Sequence, residues 1–291
     1  MLTYAYGFPR LGAAREFKKL TEDFWKGEIS RIQYISGLDL LDRQRHREYS
    51  SRVDLFPCGE MTRFDKMLDT ALSIGLYKAN SLEEYFAFAR GTHALELKKF
   101  FSTNYHYLVP TITRDFSPAP HLACLAMCQA EYSAEPLHLI APYTFTRLSR
   151  LDGVSFPRAF EMVCDAYESL FGQLKKAGVK AIHFEDPGLA LDDSPSERAL
   201  VSKLYAPMLD CGLDFHLVTY YESPDGLRQL LRLPVKSVGL DFVSGGEGNM
   251  AALARHGFPS DKTLICGVID GRNVARSDIP AKAALVQKIM K

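Results

Sequence analysis

Short apolar runs rich in β-branched and aromatic residues alternate along this chain with longer stretches whose apolar positions recur every three or four residues. The first pattern predicts strands at Tyr4–Phe8, Asp54–Cys58, Leu137–Tyr143, Ala181–Glu185, Phe215–Tyr220, Ser237–Phe242 and Thr263–Val268, with Tyr105–Val109 as an eighth candidate. The second predicts helices over Ala13–Trp25, Ile29–Tyr49, Arg63–Ile74, Leu82–Arg90, Leu95–Phe101, His121–Glu131, Phe156–Lys176, Ser196–Cys211, Asp225–Arg232, Gly248–His256 and Ile279–Lys291. The spacing of Tyr167, Leu170, Phe171 and Leu174 is clear, and Gly178 stops that helix just before the next strand. Repeating strand-helix units predict an α/β fold, a TIM-type (β/α)8 barrel formed as one domain over residues 1–291.

Bulk properties narrow the function classes. Hydrophobic content of 47% with 24% charged residues is that of a globular chain, and 35 basic residues balance 35 acidic ones, which argues against a nucleic-acid partner. No apolar run approaches the roughly 20 residues that span a bilayer, and no basic segment leads into an apolar signal core, so no membrane partner and a cytoplasmic location are expected. The cysteines at 58, 124, 128, 164, 211 and 266 contain no Cys-x-x-Cys pair and read as reduced thiols. His121, Cys124 and Cys128 share a helix face at a spacing metals accept, but Leu122, Leu125 and Met127 around them favour core packing.

Against this neutral background one segment stands out. Gly7-Phe8-Pro9-Arg10-Leu11-Gly12 leads from the first strand into Arg15-Glu16-Phe17-Lys18-Lys19, which places fixed positive charge on the opening turns of a helix. Arg and Lys there oppose the helix dipole, so the arrangement suits either a solvated face or the docking of a polyanion.

The same segment resembles the amino-terminal signature of the cobalamin-independent methionine synthases, which join two similar barrels in one chain. The likeness continues in register through Asp54-Leu55-Phe56-Pro57-Cys58-Gly59-Glu60, Arg90-Gly91, Thr103-Asn104-Tyr105-His106-Tyr107-Leu108-Val109-Pro110, Ala141-Pro142-Tyr143-Thr144-Phe145, Thr219-Tyr220-Tyr221-Glu222, Leu240-Asp241-Phe242-Val243 and Gly271-Arg272-Asn273-Val274. It implies that this chain corresponds to the first barrel. It also implies that Arg15, Glu16, Phe17, Lys18 and Lys99 meet the glutamate tail of 5-methyltetrahydrofolate polyglutamate, with Arg10 and Lys19 lending field. Well-separated Arg and Lys groups suit a string of carboxylates.

The resemblance places the zinc that activates homocysteine on the second barrel, through a His-x-Cys pair, a Glu and a later Cys. Here the corresponding stretch is Leu217-Val218-Thr219-Tyr220-Tyr221, without a soft ligand, and the flanking Cys211 and His216 are not spaced for one strand tip. No cofactor, metal or catalytic residue is therefore expected in this chain, and a zinc-bearing carboxy-terminal barrel is the expected partner. By this reading the chain alone does not transfer methyl groups.

Other polar clusters remain. Glu185-Asp186 ends a predicted strand, where barrel enzymes place their chemistry, although the family shows these acids in the opposite order. With Asp241, and with His183 or His216 as base, they offer an alternative: an independent enzyme reusing the barrel mouth. Ser244-Gly245-Gly246-Glu247-Gly248-Asn249 reads as an anion cradle or a tight turn, and Arg272 as a partner for Asp241 or Glu222. Finally, the resemblance puts Tyr105–Val109 outside the barrel wall, so the wall lacks a closing strand unless that segment fills the position. The sequence then favours a fragment of a longer chain or a barrel completed by a partner.

Overall fold

The computed structural model describes residues 1–8, 11–92, 94–122, 135–192 and 194–290. Its centre is a parallel sheet in the order β4 (Leu137–Ile140), β6 (Ala181–Glu185), β7 (Asp214–Val218), β8 (Ser237–Asp241) and β9 (Thr263–Gly267). Single parallel bridges extend it on the β4 side, from Leu137 to Cys58 and from Leu55 to Tyr4. The predicted strands Tyr4–Phe8 and Asp54–Cys58 are thus reduced to bridge contacts. Among the described residues no pairing joins β9 to Tyr4, so the structure shows an α/β fold around a parallel sheet rather than a closed barrel.

Alternation along β6 explains how the sheet carries both a core and polar groups. Phe184 faces helix α6 (Phe156–Lys176), where its ring centre lies 6.0 Å from Phe171 and 5.6 Å from Phe215. His183 and Glu185 point the other way. Helix α6 buries Phe160, Tyr167, Leu170 and Leu174 on the face that the spacing predicts. Helices α7 (Pro195–Leu209), α8 (Leu227–Leu230), α9 (Gly246–His256) and α10 (Ile279–Ile289) follow in turn, with α8 shorter than expected.

A second core lies beside the first. Helices α1 (Glu16–Lys26), α2 (Arg31–Ser50), α3 (Lys66–Ser73) and α4 (Leu82–Ala87) enclose Phe17, Tyr34, Leu38, Leu68 and Tyr85. Ser30 and Gln33 close a capping box at α2, and Asp65 accepts from the Leu68 amide at the start of α3.

Two expectations fail here. The helix expected over Leu95–Phe101 is instead strand β1 (Leu97–Lys99), paired antiparallel with β2 (His106–Leu108). Leu97 is 58% exposed, so its helical spacing marked no buried face, and Phe101 at φ 51° could not continue a helix. Tyr105–Val109 accordingly contributes to this hairpin and does not fill an eighth wall position. The short parallel pair β3 (Thr111–Thr113) and β5 (Arg150–Asp152), and helix α5 (Pro142–Leu148), were unexpected; Pro142 at the first turn starts α5 where the sequence suggested continued strand. The helix expected at His121–Glu131, with Cys124 and Cys128, falls largely outside the described residues.

Candidate functional site

The candidate tail-binding residues lie at α1 and at the end of β1. Arg15 is the exposed residue that caps α1, held in the left-handed region at φ 62° without a side-chain bond to the helix. Lys18 is exposed and 3.4 Å from Glu22 one turn on. The Glu16 carboxylate accepts from the Ala14 amide at 3.2 Å, which stabilises the approach to the helix. Phe17 is buried in the second core, so it anchors the basic turn from beneath. Lys99 is exposed at the end of β1, opposite His106. Lys19 is also exposed, and Arg10 lies outside the described residues.

A second cluster gathers at the carboxyl ends of the strands, where open parallel sheets commonly bind ligands. Glu185, the last residue of β6, accepts from Lys66 Nζ at 2.9 Å, is joined to His138 Nε2 at 2.8 Å, and accepts from the Tyr220 hydroxyl. Burial alone would raise its carboxyl; Lys66, then His138, hold it well below the usual range. Lys66 leaves Asp65, the cap of α3, and its ammonium lies 4.8 Å from the centre of the Phe100 ring. Sequence reasoning missed Lys66, because a lysine just after a helix cap carries no local signal of a partner 119 residues away.

One layer below, His138, His183 and His216 stand in register on adjacent strands. Each has a committed nitrogen. His183 Nδ1 is 2.6 Å from the Tyr4 hydroxyl, His138 Nε2 meets Glu185, and His216 Nδ1 is 2.7 Å from Ser237 Oγ. Burial, then the nearby His138, pushes His183 well below the ordinary imidazole value, so it sits neutral. Among the described residues no group of three His, Cys, Asp or Glu side chains is arranged to hold a metal.

Other candidates separate. Asp186 points away from Glu185 into a buried pocket, accepting from the Thr144 amide at 3.0 Å and the Tyr205 hydroxyl at 2.6 Å, so it orders the fold. Asp241 accepts from the amides of Tyr221, Val243 and Ser244 at 2.9, 2.6 and 3.0 Å. The glycine-rich loop therefore lends an amide to its own carboxylate. A Cβ on Gly245 would fall 2.5 Å from the Ser223 amide nitrogen, so close packing explains that glycine. Arg272 lies over the Tyr221 ring at 5.8 Å, and no ion pair joins it to Asp241 or Glu222 among the described residues.

A profile described as "Cobalamin-independent synthase, N-terminal domain" matches residues 2–291. The chain belongs to this family. Two of its relatives are named 5-methyltetrahydropteroyltriglutamate–homocysteine methyltransferase. That of Thermotoga petrophila is 36% identical over 99% of this chain and 41% of its own length. That of Listeria monocytogenes is 34% identical over 97% of this chain and 40% of its own. This N-terminal-domain chain thus spans about two fifths of the curated relatives it matches. Solved structures share the fold: a putative vitamin-B12 independent methionine synthase from Listeria monocytogenes (TM-score 0.59, 11% identity, 94% of this chain and 83% of that one) and a B12-independent methionine synthase from Shewanella in complex with selenomethionine (0.65, 13%, 90% and 79%). Among the described residues no helix is long and apolar enough to cross a membrane.

Proposed function

We propose that this chain is the folate-docking half of a cobalamin-independent methionine synthase, binding 5-methyltetrahydrofolate polyglutamate in the cytoplasm. We read its wall as one (β/α)8 barrel domain, a reading that the five-stranded parallel sheet and the two bridged segments beside it support. The family match across residues 2–291 carries the reading. The placement of Arg15, Lys18 and Lys99 on solvent-facing positions supports it, since a polyglutamate tail needs cations it can reach.

Arg15 offers a planar fork of donors to one tail carboxylate, and Lys18 and Lys99 offer point charges to others. Phe17 and Glu16 fix the turn that presents them. The chemistry of methyl transfer belongs to a zinc-bearing carboxy-terminal barrel, covalently continuous or a separate partner, a reading supported by the match of this chain to the N-terminal domain alone. This chain's contribution is capture and orientation of the methyl donor.

The test is calorimetric titration with the triglutamate and monoglutamate forms of methyltetrahydrofolate, on wild type and on the Arg15→Ala, Lys18→Ala double variant. Tail-dependent binding that the variant loses is expected. Equal binding of both forms, or equal binding by both proteins, removes the tail assignment.

A further inference from the structure

The landmark Arg90-Gly91 takes no part in the site described above. Arg90 follows α4, and Gly91, at φ 96°, turns the chain in a conformation that other residues adopt only under strain. The Arg90 side chain lies back on α1, its guanidinium 4.7 Å from the centre of the Trp25 ring. Arg90 is exposed, and among the described residues no carboxylate pairs with it.

Trp25 holds this guanidinium in place. The indole is itself fixed by Phe86, edge-on at 5.4 Å, and by Phe64 at 5.5 Å. An arginine loose in solvent gives up many rotamers when it binds. One stacked on a fixed ring has given up part of that freedom beforehand, and the N–H groups in its plane stay open to a carboxylate. Phe86 already packs α4 on α1, against Phe24 and Trp25, so a cation at position 90 is surplus to that contact.

Position gives the charge a use. Lys18, Glu22 and Trp25 follow one another along a single face of α1, so Arg90 stands beside the row that Lys18 opens. Two helical turns, about 10.5 Å, separate Lys18 from Trp25, the reach of about three residues of extended chain. Glu22 lies between them and is answered by Lys18 at 3.4 Å.

We infer that Arg90 binds a carboxylate beyond the third glutamate of the folate tail, so that this chain distinguishes tails by their length. The inference rests on the folate-docking reading and adds to it a residue and a preference for tails longer than the triglutamate.

The test is calorimetric titration of the full chain with the monoglutamate, triglutamate and pentaglutamate forms of methyltetrahydrofolate, on wild type, Arg90→Ala and Arg90→Lys. Wild type should bind the pentaglutamate about fivefold more tightly than the triglutamate, at the upper end for an exposed ion pair because the fork is held in place. Arg90→Ala should bring that ratio to about one, and Arg90→Lys, which keeps the charge without the fork, should leave it in between. The ratio decides, since an arginine that only braced α1 would change both affinities together. A wild type that prefers the triglutamate to the monoglutamate but takes the pentaglutamate no more tightly, or a ratio that survives Arg90→Ala, overturns this inference and leaves the tail assignment standing. Equal binding of all three forms removes both.

Discussion

Tyr4 and His183 are joined side chain to side chain, Oη to Nδ1 at 2.6 Å, although the Leu55–Cys58 segment and β4 stand between them in the order of the sheet. A flat sheet cannot bring those positions together. The contact therefore shows that the strands curl, and that the chain's first residues are tied across the hollow side rather than along an edge. Tyr4→Phe keeps the ring and deletes the bond, leaving His183 with neither nitrogen partnered. A loss of about 1–3 kcal/mol is expected from urea unfolding; an unchanged midpoint would show that the tie contributes nothing.

His183 also sets a pH dependence. Its folded value is depressed by burial, so the unfolded chain takes up a proton that the folded chain resists. Stability attributable to His183 is then fully lost only well below its ordinary value of about 6.5, and it declines as pH falls from about 7 to 5. Asp42 and Asp69, with carboxyls pushed up to about 6 by burial, act in the opposite sense, since their folded forms hold protons the unfolded chain has released. The difference between wild type and His183→Gln isolates the histidine. Wild type should lose more stability than the variant between pH 7 and pH 5, and parallel curves would contradict the assignment.

The Lys66–Glu185 pair is asymmetric in exposure, 24% against 8% for the two side chains. Removing the lysine strands a carboxylate that His138 and Tyr220 alone then hold, at an expected cost of about 2–3 kcal/mol, below the range for fully buried pairs because Lys66 is partly solvated. Glu185→Gln added to Lys66→Met should recover part of that loss. A double-mutant cycle by thermal unfolding measures it, and strictly additive effects would mean the two side chains are not coupled.

Arg15 is strained where it is exposed. A non-glycine residue at φ 62° costs roughly 1 kcal/mol, and no side-chain bond to the helix offsets it. Arg15→Gly should therefore raise stability by about 0.5–1 kcal/mol while weakening triglutamate binding. A variant that is less stable than wild type would indicate that the guanidinium has a structural partner.

The sheet was legible in the sequence because its strands are short apolar runs between strong helical periods. Phe184 and Phe215 announce themselves in that pattern, as do Tyr167 and Phe171 of α6. The hairpin was not, since Leu97 has helical spacing without a face to bury and strand pairing with His106–Leu108 decides its state. Glu185, Asp241 and His183 were identified from their strand positions. Asp186 was grouped with them wrongly because a sequence does not show which way successive residues point until the strand's exit is fixed; Thr144 and Tyr205 claim its carboxylate. Lys66 was invisible, being local to nothing it touches.

Adjacent residues of β2 belong to different interiors: Tyr107 packs in the sheet core, while Leu108 packs with Phe17, Tyr34 and Leu38 in the helical one. The strand is thus a seam between a larger and a smaller body of packed side chains. The helix presenting Arg15 and Lys18 rides on the smaller body, so its amides should exchange hydrogen with solvent at lower free energy than those of β6 and β8, without the sheet unfolding. A glutamate tail gripping both α1 and Lys99 would span that seam, and its binding would register as slowed exchange in the helical body alone.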